Sequence, residues 1–581
     1  MSAVDSVQSY RALDSATGSS IREAPAPSLD MRRVAEDAIR FAAVLGLFTL
    51  ATALVFWPCL AHLHTALIGP PEDNMNDFWD TWYAAVGRDN ANFFSTRLLR
   101  FPEGTSLLYQ SFAYPQLLAA LGLSGIFGTD MRTLVAIQNV TLLASFPLAG
   151  VGAFYLVRHL VHSTVGGLIG GFVFAFNPSH VAHALHHIGV ASIEFLPFFV
   201  LAYLFALERR SMVWLGAAAL FLALSALSCW YYLFYCTYFM GFHLLYLRVR
   251  DHAWPRGWNL VAPVLCILIT GAILSPLLIP MVAAARPTLY DGGGNTFVAD
   301  LLGFIVFPPE HFLSAFSRGL YSRFSGRPWE SSVYLGLVDL AVIGWAMLQT
   351  GLARTSLLFY VLLGMSFFCV FACGESLHVA GIVTPIHLPD VVLDKLPFFA
   401  NVRTPSRAIV FVYLFLGIGV GFAVANILQR KTLTSRAGVA GIAAMIVLDF
   451  YPANLAATPA VCPPGLAALK ADPERGFGVL NLPFGYAEGD SYMFEQACHH
   501  RPIVDGITSR EMGETLIYRL SVNDLAKQRG QLARAHVKYI LLHRPNNDLY
   551  AWNREIAPVA RFRKTYRAVY DGPDMIVLRV Y

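Results

Sequence analysis

Residues 41–61 read FAAVLGLFTLATALVFWPCLA, an apolar run without one charged side chain. A helix crossing the hydrocarbon core of a bilayer needs roughly 20 such residues. Thr133–Val157 and Asn259–Ala285 meet the same requirement. Ser211–Leu247 carries no Asp, Glu, Lys or Arg and fits two helices joined by a tight turn near Cys229-Trp230. The composition agrees: 56% of residues are hydrophobic, 14% are charged and the mean hydropathy is +0.52, against about 25% charged in soluble domains. The chain is therefore mainly α, a polytopic bundle of transmembrane helices whose first partner is the lipid bilayer. A net charge of +4 on 581 residues, without a basic stripe or a recognition motif, excludes a nucleic-acid partner.

Positive charge in short loops sets orientation. Arg32, Arg33 and Arg40 precede the first run, so the N-terminus is expected in the cytoplasm, with residues 1–40, Ser/Ala-rich at the start, disordered. Further spans are expected at about 133–157, 164–180, 189–207, 211–229, 231–247, 259–284, 331–350, 355–373, 407–428 and 437–452. Arg158-His159, Arg209-Arg210, the Arg248–Arg256 cluster, Arg354 and Arg430-Lys431 then all fall inside. That holds if 112–128, which is short and carries a Pro and several Gly, does not cross. The expectation is about eleven spans over 41–452, with an outward loop at 62–132. Segment 453–581 changes character: GFGVLNLPF, HVKYILLHR and DMIVLRVY read as strands and Thr515–Ala535 as an amphipathic helix. A small extracytoplasmic α/β domain is expected there. Of eight cysteines, Cys462 and Cys498 lie in this polar segment and could pair in an oxidising compartment, while the other six lie in or beside apolar spans.

Immediately beyond the first run, residues 69–84 read GPPEDNMNDFWDTWYA. Asp73, Asp77 and Asp80 share one helical face, and repulsion between them favours a bound cation or a raised pKa. Interleaved Phe78, Trp79, Trp82 and Tyr83 suit a membrane interface. Partly desolvated carboxylates there can serve as a general base or as ligands to a hard cation. Plain interfacial polarity is the competing reading of Asp77 and Asp80.

The pattern Asp73-Asn74, Phe78-Trp79, Trp82-Tyr83 resembles the Asp-x-x-x-x-aromatic-Trp-x-x-Trp signature after the first helix in a bacterial branch of the GT-C superfamily of integral-membrane glycosyltransferases. Phe101–Ser106 is similar to that branch's Tyr-Pro-x-Gly-x-Ser segment. Leu396–Phe399 with Arg403–Arg407 resembles its Arg-x-Pro-x-Arg entry to a late helix. Gln496, His499–Pro502 and Gly506 are similar to its Gln-x-x-His-x-x-Pro segment. The resemblance implies transfer of a sugar, with inversion, from a polyprenyl-phosphate donor to a glycan, lipid or protein acceptor of the cell envelope. It also implies a multi-pass protein of the bacterial plasma (inner) membrane working on the outer face. Such a reaction needs a base near the acceptor hydroxyl and positive charge on the leaving phosphate. Asp73 is the first candidate base and Asp77 the second, with Glu72 and Asp80 behind them. Trp79 and Trp82 are candidates for substrate contact.

The turn NPSHVAHALHHIG (177–189) places His183 and His187 at i, i+4, a spacing able to share a metal, or one able to bind a carrier phosphate. A divalent ion, Mg or Mn, is thus a candidate cofactor, with Asp73, Asp77, His183 and His187 as ligands. Glu194, an acid inside a span, is a candidate for the same cavity, whereas Asp339 is expected to make a helix–helix hydrogen bond. Arg403 and Arg407, at i, i+4, suit bidentate phosphate contact, and lipid-headgroup anchoring is the alternative. DGGGN (291–295) lacks the context of a P-loop. A transporter or flippase, or a polymerase of lipid-linked glycans, remains the competing function.

Overall fold

The computed structural model describes residues 31–285, 295–393, 395, 402–484, 486–510, 515–521, 523–543 and 559–581. The chain divides into Met1–Val44 and a unit Leu45–Tyr581, and, apart from the Arg40–Asp37 pair, the second contains every contact discussed below. The principal elements are α1 (Met31–Val55), β1 (Ala66–Ile68), α2 (Asp73–Trp82), α3 (Tyr114–Phe127), α4 (Met131–Val161), α5 (Thr164–Ala175), α6 (Pro178–Ala184), α7 (Phe195–Arg209), α8 (Met212–Ser228), α9 (Trp230–Asp251) and α10 (Trp258–Ala284). They continue with α11 (Leu337–Thr350), α12 (Leu357–Ala372), α13 (Ile409–Leu428), α14 (Leu433–Asp449), β2 (Ala457–Pro459), β3 (Gly478–Leu482), α15 (Tyr486–His499), α16 (Leu525–Arg534), β4 (Val537–His543), β5 (Arg567–Asp571) and β6 (Met575–Arg579).

Helix α1 starts at Met31, not at the apolar boundary, so residues 31–40 of the stretch expected to be disordered are helical. The sequence there is rich in Ala, Arg and Glu, strong helix formers, and Arg40 pairs with Asp37 at 2.9 Å. Among the described residues, five helices are long and apolar enough to cross a bilayer: Ala35–Val55, Met131–Val161, Ile188–Arg209, Trp258–Ala284 and Pro405–Leu428. Helices α5 and α6 would make a sixth as one broken span, bent by 44°. Eleven crossings are therefore not confirmed. The expected spans at 331–350 and 355–373 shrink to helices of 14 and 16 residues. Gly336 and Gly351, both at positive φ, bound the first of them. The break after α5 is encoded locally. Asn177 caps α6 by accepting from the His180 N–H at 2.8 Å, and Pro178 supplies the first helical residue. Helix α3 has 14 residues, about 21 Å at 1.5 Å per residue, too short for a core of about 30 Å.

The bundle closes where α5 meets α13. A Cβ at Gly170 would stand 2.3 Å from the Gly417 carbonyl oxygen, and one at Gly166 would stand 2.6 Å from that of Gly421. Both helices thus use glycines four apart to bring their backbones together, a packing device of membrane helices.

The C-terminal strands form one sheet in the order β3-β4-β6-β5, with β3 parallel to β4 and the other pairs antiparallel. Alternate residues serve two cores, as the two-residue period of a strand requires. Leu480, Ile540, Leu542, Ile576 and Leu578 face Leu532 and Phe562 of the segment's own helices. Val479, Leu541 and Val577 face Met75, Phe78, Trp79 and Trp82 of α2. The expected separate α/β domain is therefore an α/β layer within the same compact unit, because one face of its sheet is covered by the first loop. Thr515–Ala535 is not one helix but a 3₁₀ turn, Leu516–Arg519, followed by α16. Two further ties hold the layer. Strand β1 pairs antiparallel with β2, Leu67 opposite Thr458, and Cys462 is disulfide-bonded to Cys498 of α15.

Candidate active site

Helix α2 follows Pro70-Pro71 and opens on Asp73, an acid in the first turn where the helix dipole favours negative charge. Its acids do not share one partner. The Asp73 Oδ2 lies 3.4 Å from the His187 Nε2. The Asp77 Oδ2 accepts the Ile188 N–H at 2.8 Å, and the Asp80 Oδ1 accepts from the Gln110 Nε2 at 3.1 Å.

The histidines of the 177–189 turn separate in the same way. His180 points into the bundle, stacked on Phe146 at 3.9 Å with its ring nitrogens on Ala175 and Ser145. His183 and His187 each place Nε2 3.8 Å from a carboxylate oxygen of Glu330. Glu330 lies 5% exposed between them. On its other side the Arg407 Nε donates to Oε2 at 3.1 Å and Nη2 donates to Oε1, a fork-to-fork pair. The Tyr231 ring lies 4.8 Å from that guanidinium. Asp73, His187, Glu330 and Arg407 therefore form one continuous chain of side chains, with the Asp73 carboxylate at one end and the Arg407 guanidinium at the other. His186 stands beside it, 3.4 Å from the Glu72 Oε2 and stacked on Trp329 at 3.8 Å.

Burial would by itself raise Glu330, but Arg407, His183 and His187 outweigh it and hold the carboxyl at about 2, so it is an anion at every physiological pH. Asp77 has no cation. Burial, then Asp80 and Asp73, push it well above the usual carboxylate range despite the Ile188 N–H. Burial pushes Asp80 up to about 8. The His186 hydrogen bond holds Glu72 down, and Arg327 and His187 add to it against burial. Burial lowers His187 against the pull of Asp73.

Sequence reasoning placed Asp73, His183, His187 and Arg407 here, and the structure brings them together. Other candidates lie apart from this cluster. Trp79 is fully buried, donating from Nε1 to the Gln496 Oε1 at 2.7 Å and stacking on Tyr83. Trp82 is buried edge-on against His500. Both dock the C-terminal layer and neither faces the histidines. The Gln496–Pro502 motif does the same work, since the Gln496 Nε2 reaches the Leu98 and Arg501 carbonyls. Glu194 is buried but takes its hydrogen bond from Gln116 of α3, at 2.6 Å, instead of joining the histidine cluster. Arg403 precedes a 3₁₀ turn that Pro405 begins, so it does not share a helical turn with Arg407. Among the described residues, neither carboxylate oxygen of Asp339 has a hydrogen-bond partner, so the expected helix–helix bond is missing. Leu396–Phe399 and residues 291–294 lie outside the described residues.

Asp73, Asp77, His183 and His187 do not form a shared ligand set. Among the described residues no three His, Cys, Asp or Glu side chains are arranged to hold a metal ion, and Glu330, the acid that reaches both histidines, is taken by Arg407. Glu330 itself went unseen in the sequence, although GRPWE (326–330) repeats the acid-beside-tryptophan signal of 69–84.

The described helices, with a charged cluster built on short elements between them, are those of an integral-membrane protein, and the fold is shared with a glycosyltransferase of known structure. Over 96% of this chain and 42% of the other, it is similar at 12% identity to the arabinofuranosyltransferase AftD from Mycobacteria, with a TM-score of 0.54. The chain thus spans less than half the length of that relative. Weaker likenesses are to the archaeal oligosaccharyltransferase AglB from Archaeoglobus fulgidus, solved with an inhibitory peptide and a dolichol-phosphate, and to ArnT from Cupriavidus metallidurans. The first covers 87% of this chain and 70% of the other at 13% identity, TM-score 0.46. The second covers 94% and 98% at 10% identity, TM-score 0.48. No curated protein matches the sequence. The chain belongs to the family defined by DUF6311, a domain of unknown function, whose model matches residues 93–451.

Proposed function

We propose that the protein is an integral-membrane glycosyltransferase that moves a sugar from a polyprenyl-phosphate donor to a cell-envelope acceptor at the outer face of a bacterial plasma membrane. The observation that carries this reading is the chain Asp73–His187–Glu330–Arg407, which places a carboxylate at one end and a cation at the other. In the transfer, the acceptor oxygen bonds to the anomeric carbon as its proton passes to the Asp73 carboxylate. The anomeric carbon–oxygen bond to the phosphate breaks, and the phosphate leaves with the electron pair. In-line attack inverts the anomeric centre. Asp73 is the base in preference to Asp77, because burial and the neighbouring Asp80 and Asp73 push Asp77 well above the usual carboxylate range and its Oδ2 is engaged by the Ile188 N–H. Arg407 spends one edge of its guanidinium on Glu330 and lines a small cavity with Asn177, Ser179, His183 and Tyr232 on one side and Val190, Ile193 and Val410 on the other. It can meet the phosphate from there, with Arg403 as a second cation. Glu330 orients Arg407 and both histidines.

The test supplies radiolabelled polyprenyl-phosphate sugars and a crude envelope acceptor to reconstituted wild type and Asp73→Asn, with and without a chelator. Transfer by the wild type that collapses in the variant supports the reading. Normal transfer by the variant removes Asp73 as base. Movement of labelled lipid across the bilayer without transfer favours a flippase.

A further inference from the structure

A second group of polar side chains lies between α2, the 325–330 turn and α15, and the chain from Asp73 to Arg407 does not use it. Helix α15 runs along α2, with the Ser491 hydroxyl 3.6 Å from the Met75 sulfur, Phe494 on Phe78 at 5.4 Å, and Gln496 on Trp79. Asp490, one residue before Ser491, therefore faces the opening turn of α2, where Glu72, Asp73 and Asp77 lie. It is 5% exposed, and its Oδ1 has no hydrogen-bond partner among the described residues. Trp329 is 7% exposed, and its Nε1 is likewise unpartnered among the described residues. The Trp329 ring is covered by His186 at 3.8 Å and by the Arg327 guanidinium at 5.0 Å. Glu72 bridges those two, 3.4 Å from His186 and 3.7 Å from Arg327.

A buried polar atom without a partner is costly, about 1–3 kcal/mol, so an orphan donor and an orphan acceptor in one cluster call for a ligand that supplies both. Burial and the neighbouring Asp73, Asp77 and Glu72 push the Asp490 carboxyl well above the usual range, against the pull of Arg327. A phosphate would meet these four acids, and the Arg327 guanidinium among them is already engaged by Glu72. A neutral polyhydroxyl group, whose hydroxyls each donate and accept, matches the set.

We infer that Asp490, Trp329 and Glu72 form a saccharide subsite that seats the hydroxyls of the acceptor, completed by a residue of the C-terminal layer. The assignment to the acceptor rests on the glycosyltransferase reading; the preference for a neutral sugar does not.

The test uses the full chain in lipid nanodiscs without donor. Mannotriose, galactotriose and arabinotriose are titrated, and binding is followed by saturation-transfer NMR. At least one trisaccharide should bind saturably, and Asp490→Asn and Trp329→Phe should each weaken it tenfold or more. Trp329→Phe keeps an aromatic face, loses the pyrrole half with its N–H, and lies outside the C-terminal layer, so it tests the subsite if Asp490→Asn disturbs docking. Unchanged affinity in both variants, or no saturable binding of any trisaccharide by the wild type, overturns the inference. Binding of glucosamine in place of all three neutral sugars also overturns it, in favour of a cation site. Saccharide binding that depends on Asp490 in a protein that fails every transfer assay would leave this subsite standing and sink the transferase reading. Transfer lost in Asp73→Asn, with saccharide binding indifferent to Asp490, would do the reverse.

Discussion

The two ends of helix α2 carry similar residue types and do opposite things. At its start Asp73 remains a quarter exposed and meets His187, while Glu72 and Asp77 lie against the 177–189 turn and its neighbours. At its end Phe78, Trp79, Trp82 and Tyr83 are almost wholly buried against the C-terminal layer. A ten-residue helix thus joins a charged cluster to a docking surface. Acids and tryptophans close together in sequence therefore need not share a task, because a helix separates them by rotation and by rise.

The comparison breaks or sharpens under four substitutions. The largest effect is expected at the charged end: Asp73→Asn should reduce transfer by about 10²–10⁴-fold, the usual range for a lost general base, with thermal unfolding in nanodiscs unaltered. A large stability loss would mean that the acid is structural. Glu330→Gln should come next. Removing one partner of a buried ion pair costs about 3–5 kcal/mol, and here it would strand Arg407 beside two histidines, so the midpoint of unfolding should fall clearly. At the docking end, Trp79→Phe keeps the ring and deletes the bond to Gln496. A loss of about 1 kcal/mol in stability is expected, with turnover unchanged once the protein is folded. A fall in turnover without a fall in stability would abolish the distinction between the ends. A pH-dependent effect belongs to Asp80, raised from 3.8 to about 8 by burial. The folded state of a raised acid holds its proton more tightly, so its contribution is present below about pH 4 and lost as pH rises through about 8. The melting temperature of Asp80→Asn relative to wild type should therefore climb between pH 5 and pH 8. A difference that stays flat would place Asp80 in contact with water.

The apolar runs were legible because lipid contact and helix packing select the same side chains. Their number was not, since Gly336, Gly351 and Pro178 cut helices short and hydropathy does not weigh single residues that way. Asp73 and His187 could be singled out by local spacing and prove to be neighbours. Glu330 could not, because its meaning comes from Arg407, 77 positions later. The contact of Trp79 was hidden for the same reason: an interfacial tryptophan suits a ligand or a docking surface equally, and its partner, Gln496, lies 417 positions away. Separations of that kind are invisible to any pattern read within one segment.

The short ladder between β1 and β2 carries a consequence for biosynthesis. Ile68 pairs with Ala457 and Ala66 with Pro459, so the segment that leads into α2 is tied down by residues made long after it. Chains are synthesised from the N-terminus, and early segments fold first where they can. Here the first loop must wait through the insertion of the helices between before it gains its neighbour. A ribosome-bound intermediate that has already inserted its early helices still lacks this tie, along with Gln496 and Asp490, and the charged end of α2 stays open on that side until they arrive.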